Sequence, residues 1–123
     1  MRPVGRFAAG RAAHELALAV YRVSSRWPGH ELYGLTAQAR RAAVSIGANL
    51  VEGLSRRGPK ELRRFLDLSR GSHAELQYLI KLADDLGYVG EGERDELGVV
   101  LRKSGVLLWK LYSAVALKAD AEL

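Results

Sequence analysis

Cysteine is absent from the 123 residues. Disulfides, thiolate metal sites and cysteine nucleophiles are therefore excluded, and a reducing compartment, the cytoplasm, is the expected setting. Three histidines give little material for acid–base or metal chemistry. A helical zinc site starting at His14-Glu15 needs a second histidine four residues on, and Leu18 stands there. No phosphate-cradling glycine motif of the Walker type occurs, and Ser45, Ser69 and Ser72 fall at small packing positions rather than on a strained turn beside a base. Catalytic residues, a metal and a cofactor are accordingly not expected. No apolar run reaches the ~18 residues of a membrane span. The run from Val106 to Leu117 is short and contains Lys110, and the apolar stretch after Arg2, Arg6 and Arg11 is broken by His14 and Glu15, which makes it a poor secretory signal. Prolines number only three, so long uninterrupted helices are open to the chain.

What is present is apolar periodicity over a single domain, residues 1–123, with 48% hydrophobic and 27% charged residues. A first helix over about 8–26 carries Ala9, Ala13, Leu16, Val20, Val23 and Trp27 on one stripe, ended by Pro28-Gly29. A second over about 36–53 takes Thr36 as N-cap, has a small-residue seam of Ala39, Ala42, Ile46, Asn49 and Gly53, and is closed by Gly53 in left-handed geometry. Small residues let a neighbouring backbone approach closely. A third, about 59–86, has an unbroken heptad seam of Leu62, Phe65, Ser69, Ser72, Leu76, Leu79, Ala83 and Leu86, widened by Leu66, Leu68, Ile80 and Leu82, and ends at Gly87. A fourth, about 91–118, buries Leu97, Leu101, Ser104, Leu108, Leu111 and Val115 and places its acids at its start and Lys110 and Lys118 toward its end, as the helix dipole prefers.

Four such helices with short connections predict an all-α, antiparallel up-down-up-down four-helix bundle. Folding the second helix back on the third about residue 56 sets Ala42 beside Arg70 and Ser45 beside Asp67. Val44, Val51, Val99, Val106, Trp109 and Tyr112 fall off the seams and form a second apolar surface, which predicts a cyclic homo-oligomer. Arg41, Asn49, Glu52, Arg70 and Glu75 are placed to form a structural polar network fixing helix register.

The net charge of +5 is uneven: residues 1–34 carry +3, residues 35–70 carry +5 and residues 71–123 carry −3. The surplus centres on the hinge Arg56-Arg57-Gly58-Pro59-Lys60-Glu61-Leu62-Arg63-Arg64, where Gly58 permits a sharp turn and Pro59 starts a helix. Arg56, Arg57, Lys60, Arg63 and Arg64 lie at one end of the bundle and on one side of the third helix, a candidate phosphate-contacting surface. No aromatic interleaves them, so base stacking and sequence readout are not expected.

The string LTAQARRAAVSIGANLVEG from Leu35 to Gly53, Arg56-Arg57, KELRRFL from Lys60 to Leu66 and RGSHAEL from Arg70 to Leu76 resemble the four-helix-bundle proteins encoded in 23S rRNA intervening sequences. Gly47 stands where that family commonly has a proline. The resemblance implies a homopentamer, related in shape to the accessory variability proteins of diversity-generating retroelements, which bind nucleic acid and assist a reverse transcriptase. The expectation is a non-enzymatic homopentamer that binds RNA or an RNA/DNA hybrid through phosphates, as accessory to such an enzyme. The alternative is a protein–protein assembly module whose basic rim is incidental.

Overall fold

A computed structural model describes residues 8–122; Arg2 and Arg6, named above, lie outside them. The described chain is all-helical: α1 (Ala8–Ser24), a single 3-10 turn at Gly29–Glu31, α2 (Leu35–Leu54), α3 (Gly58–Asp85) and α4 (Glu91–Ala121). α1 packs on α2 and α4, and α3 packs on α2 and α4, while the backbones of the diagonal pairs stay apart among the described residues. None of these helices is long and apolar enough to cross a membrane.

The stripes read from the sequence are the ones that face inward. The five stripe positions on α1 from Ala9 to Val23 are buried, with Trp27 just beyond its end, as are Ala39, Ala42, Ile46 and Gly53 on α2 and Phe65, Ser69, Leu76, Leu79 and Ala83 on α3. Leu66 is fully buried as well, whereas Leu68 points to solvent on the far side of α3. Leu86, the last residue expected on the seam, is exposed because α3 has already ended at Asp85.

Two helix ends differ from expectation, for local reasons. Thr36 is not the cap of α2; it is buried inside the first turn, and the cap position is Gly34. The Glu31 carboxylate does the capping from the preceding turn, accepting a hydrogen bond from the Leu35 amide at 3.1 Å. It also accepts one from the Tyr88 hydroxyl at 2.9 Å, so the α1–α2 and α3–α4 connections are clasped together. These two bonds, the Leu35 amide first, hold the Glu31 carboxyl below the usual glutamate range.

Gly53 does not close α2 in left-handed geometry. Among the described residues the left-handed glycines are Gly58 (φ 81°) at the hinge and Gly87 (φ 85°) after α3. Gly87 completes a cap in which the Tyr88 amide donates to Ala83 at 2.9 Å and the Gly87 amide to Asp84 at 2.9 Å. Gly53 lies inside the helix because α3 comes so close: a Cβ there would sit 2.8 Å from Phe65 Cβ and 3.0 Å from Leu62 Cδ1. At Gly47 the same atom would meet Ala13 Cβ at 3.7 Å, an ordinary contact, and α2 runs through without interruption.

Buried hydroxyls tie α2 to α3. Ser69 donates to the Ile46 carbonyl at 2.8 Å, and Ser72 donates to Ser45 Oγ at 2.8 Å. The register is therefore displaced by about one turn from a fold about residue 56, since Ser45 meets Ser72 rather than Asp67. The turn itself occupies residues 55–57 and is centred where expected, so the displacement arises in how the two helices pack beyond it. On the next pair of helices, His73 Nε2 donates to the Leu101 carbonyl at 2.8 Å and the ring fills the space above Gly105. A Cβ at Gly105 would lie 2.9 Å from that ring.

Candidate nucleic-acid interface

The hinge cations stand where α2 ends and α3 begins, beside the last turns of α4. Gly58 and Pro59 explain the placement: a positive φ reverses the chain in three residues, and a proline at the helix start needs no amide partner. Pro59 thus sets Lys60, Glu61, Arg63 and Arg64 on the first turns of a rigid helix.

The cations are not equivalent, and they do not share one side of α3. Arg63 turns toward α4 and pairs with Asp120 at 2.9 Å. Arg56 and Arg64 turn the other way and flank the Phe65 ring, 5.2 Å and 4.4 Å from its centroid. Arg56 is also paired with Glu52 at 2.6 Å, and Arg64 with Glu61 at 3.3 Å. The Arg64 hydrogen bond holds the Glu61 carboxyl below the usual range, so this acid stays charged and opposes its neighbour. Arg57 and Lys60 are exposed and have no carboxylate partner among the described residues. Five cations thus reduce to two unopposed ones and three held by surface ion pairs. Such pairs are weak and screened by salt, so a polyanion can compete for the arginines.

An open cleft of about 650 Å³ adjoins the hinge, lined by Leu54, Leu62, Leu111 and Val115 with Arg56 and Lys118 at its rim. Its polar lining is not a nucleophile–base pair. Among the described residues no group of three or more His, Asp or Glu side chains is arranged to hold a metal ion.

The five residues expected to form one polar network are separated. Asn49 donates to Ser45 O and Oγ at 2.9 Å, and Glu52 pairs with Arg56. Arg70 pairs with Asp67 at 3.4 Å, while Arg41 and Glu75 are exposed and join neither group. The polar links between α2 and α3 are instead Ser72–Ser45–Asn49 and the Ser69 bond to the Ile46 carbonyl. The reason is rotational: Arg41, Glu52 and Glu75 point to solvent, and the helix surfaces in contact carry the short hydroxyls.

The residues named for self-association differ in exposure. Val44, Val51, Val99, Val106 and Trp109 are between 46% and 60% exposed, and Tyr112 is partly buried. Sequence reasoning missed the cluster built on two of them. Trp109 and Tyr112 stack at 5.8 Å and 24°, and the Arg70 guanidinium lies 5.0 Å from the indole and 4.4 Å from the phenol ring. Arg70 belongs to α3 and the rings to α4, so no spacing within either segment announces the contact.

An all-helical four-helix protein with a cationic hinge is the class that these observations define. The 23S rRNA-intervening sequence protein family matches residues 7–109, and the chain belongs to that family. No curated protein matches it.

Proposed function

We propose that the chain is an antiparallel up-down-up-down bundle that assembles into a cyclic homopentamer and binds nucleic acid through phosphates at the hinge end, as a non-enzymatic accessory to a larger enzyme such as a reverse transcriptase. The topology is supported by contacts that run in opposite order along packed helices: Arg40 with Tyr21 and Ser24 while Gly47 meets Ala13, Gly53 against Phe65 while Ser45 meets Ser72, and Arg63 with Asp120 while Asp84 meets Arg94. Assembly is supported by exposed valines and Trp109 on α2 and α4.

The observation that carries phosphate binding is the unopposed pair Arg57 and Lys60 on a proline-started helix, with three displaceable arginines around it. A ring of five copies repeats that group and raises the local potential beyond that of one copy. RNA or an RNA/DNA hybrid fits a surface that reads backbone charge, because none of the cations faces an exposed aromatic at the hinge; Phe65 is buried.

A second reading, a protein–protein assembly module with an incidental rim, is favoured by the three intrachain ion pairs at that rim. Salt separates the two. Binding of a structured RNA should weaken steeply with salt, with a log–log slope of about 0.9 per duplex phosphate neutralised. Arg57→Glu combined with Arg64→Glu should abolish it. No RNA binding at low salt, with assembly intact, would leave the second reading standing alone.

A further inference from the structure

Along the chain no aromatic interleaves the hinge cations; packing supplies one. α3 turns Arg63 toward α4, and Arg70, a heptad on, lies on the same side about 10 Å farther from the hinge. There its guanidinium meets two rings of α4, 4.4 Å from the centre of Tyr112 and 5.0 Å from that of Trp109. Seven residues before Trp109, and so on the same face of α4, stands Arg102, exposed and without a carboxylate partner among the described residues. The aromatic pair thus sits between cations from two helices.

Trp109 differs from the outer valines of α4. It stands about 60° around the helix from Val106, on the side of α3, and what lies against it is a ring and a guanidinium rather than an aliphatic side chain. The indole stacks on Tyr112 at 5.8 Å and 24° and is still 54% exposed, so it has little freedom left to lose when a second flat ring meets it. Unpaired nucleobases are such rings. They stack on aromatic side chains and on guanidinium planes, and do so whatever their sequence, because every base has a π-face.

Resting on the phosphate reading of the hinge, we infer that the groove between α3 and α4 takes an unpaired segment of the same nucleic acid. Its phosphates follow Lys60, Arg63 and Arg70 away from the hinge, and one base stacks on Trp109. Lys60, Arg63, Arg70 and Arg102 outnumber Asp67 and Asp120 along this path, and the two acids are held only in surface ion pairs that a polyanion can displace. That excess of positive charge calls for an anionic strand rather than an apolar peptide. The ligand is then a junction between duplex and single strand, since a base inside a duplex is not free to stack on protein.

Two RNAs of equal charge test this: a hairpin with a short unpaired tail, and the same hairpin with an abasic tail of equal length, which keeps the phosphates and lacks the bases. The wild-type chain should bind the first about ten-fold more tightly, the order of magnitude of one stacked base. The first should also quench tryptophan emission, and the response should vanish in Trp109→Phe, where only the buried Trp27 still emits. Trp109→Ala should erase the ten-fold preference while leaving the affinity for the abasic-tailed hairpin unchanged, which also shows that the variant is folded. Equal wild-type affinity for the two tails, or a preference that survives Trp109→Ala, overturns the inference while the hinge reading stands. A Trp109→Ala chain whose mass by light scattering differs from wild type overturns it too, because the ring then belongs to a contact between copies. Binding of neither hairpin at low salt removes the hinge reading and this one with it.

Discussion

Two glycines on one helix should respond to the same substitution with opposite signs. Replacing a helical Gly by Ala gains about 0.5–1 kcal/mol from the lower backbone entropy of the unfolded chain. At Gly47 nothing opposes the gain, because the new Cβ meets Ala13 Cβ at 3.7 Å. At Gly53 the new atom would sit 2.8 Å from Phe65 Cβ, which is fixed to the α3 backbone and cannot rotate away. Overpacking of this kind costs about 1–3 kcal/mol. Gly53→Ala should therefore lose about 1 kcal/mol net and Gly47→Ala should gain about 0.5–1. For a chain of this size that separates the two by roughly 6 °C in Tm. The assay is thermal unfolding by circular dichroism at one protein concentration, since association itself shifts Tm. A Gly53→Ala protein as stable as Gly47→Ala would refute the close approach of α2 to α3.

Ser69→Ala removes a buried hydrogen bond to Ile46 and should cost about 1 kcal/mol in urea unfolding, whereas Ser55→Ala at the exposed end of α2 should be near neutral. Gly58→Ala should cost about 1 kcal/mol although its surroundings are open, because the strain lies in its φ of 81° and not in contacts. The Glu31 clasp predicts an acid-side loss. A carboxyl held below its unfolded value stabilises the fold while ionised, and that contribution disappears as pH falls below about 4. Glu31→Gln should flatten the dependence of Tm on pH between pH 6 and pH 3, and an unchanged slope would show that the clasp contributes nothing.

The helices were legible in the sequence because burial in a bundle is periodic. Leu76 and Ser69 lie a heptad apart and both end fully buried. Helix ends were less legible, since the group that caps α2 belongs to Glu31 in the preceding turn and not to a residue at the cap position. Gly53 drew attention as a helix terminator because glycine commonly serves that purpose, and its actual constraint comes from Phe65, across the turn in α3. The same limit applied to the site. The five hinge cations could be counted along the chain, but Asp120, which neutralises Arg63, is distant in sequence, and only packing brings the end of α4 to the start of α3.

The position of the Glu31–Tyr88 clasp has an electrical consequence. Around it lie Asp84, Asp85, Glu91, Glu93, Asp95 and Glu96, outnumbering the Arg22, Arg26, Lys81 and Arg94 that pair with four of them, while the hinge, with cations in excess, lies at the other extremity of helices up to 31 residues long. The bundle is thus a rod with an electric dipole along its length. In the field of a polyanion such a rod is turned hinge-first before any contact is made. Reversing Glu91 and Glu93 to lysine, far from every proposed contact, should therefore slow productive association while leaving the hinge chemistry untouched.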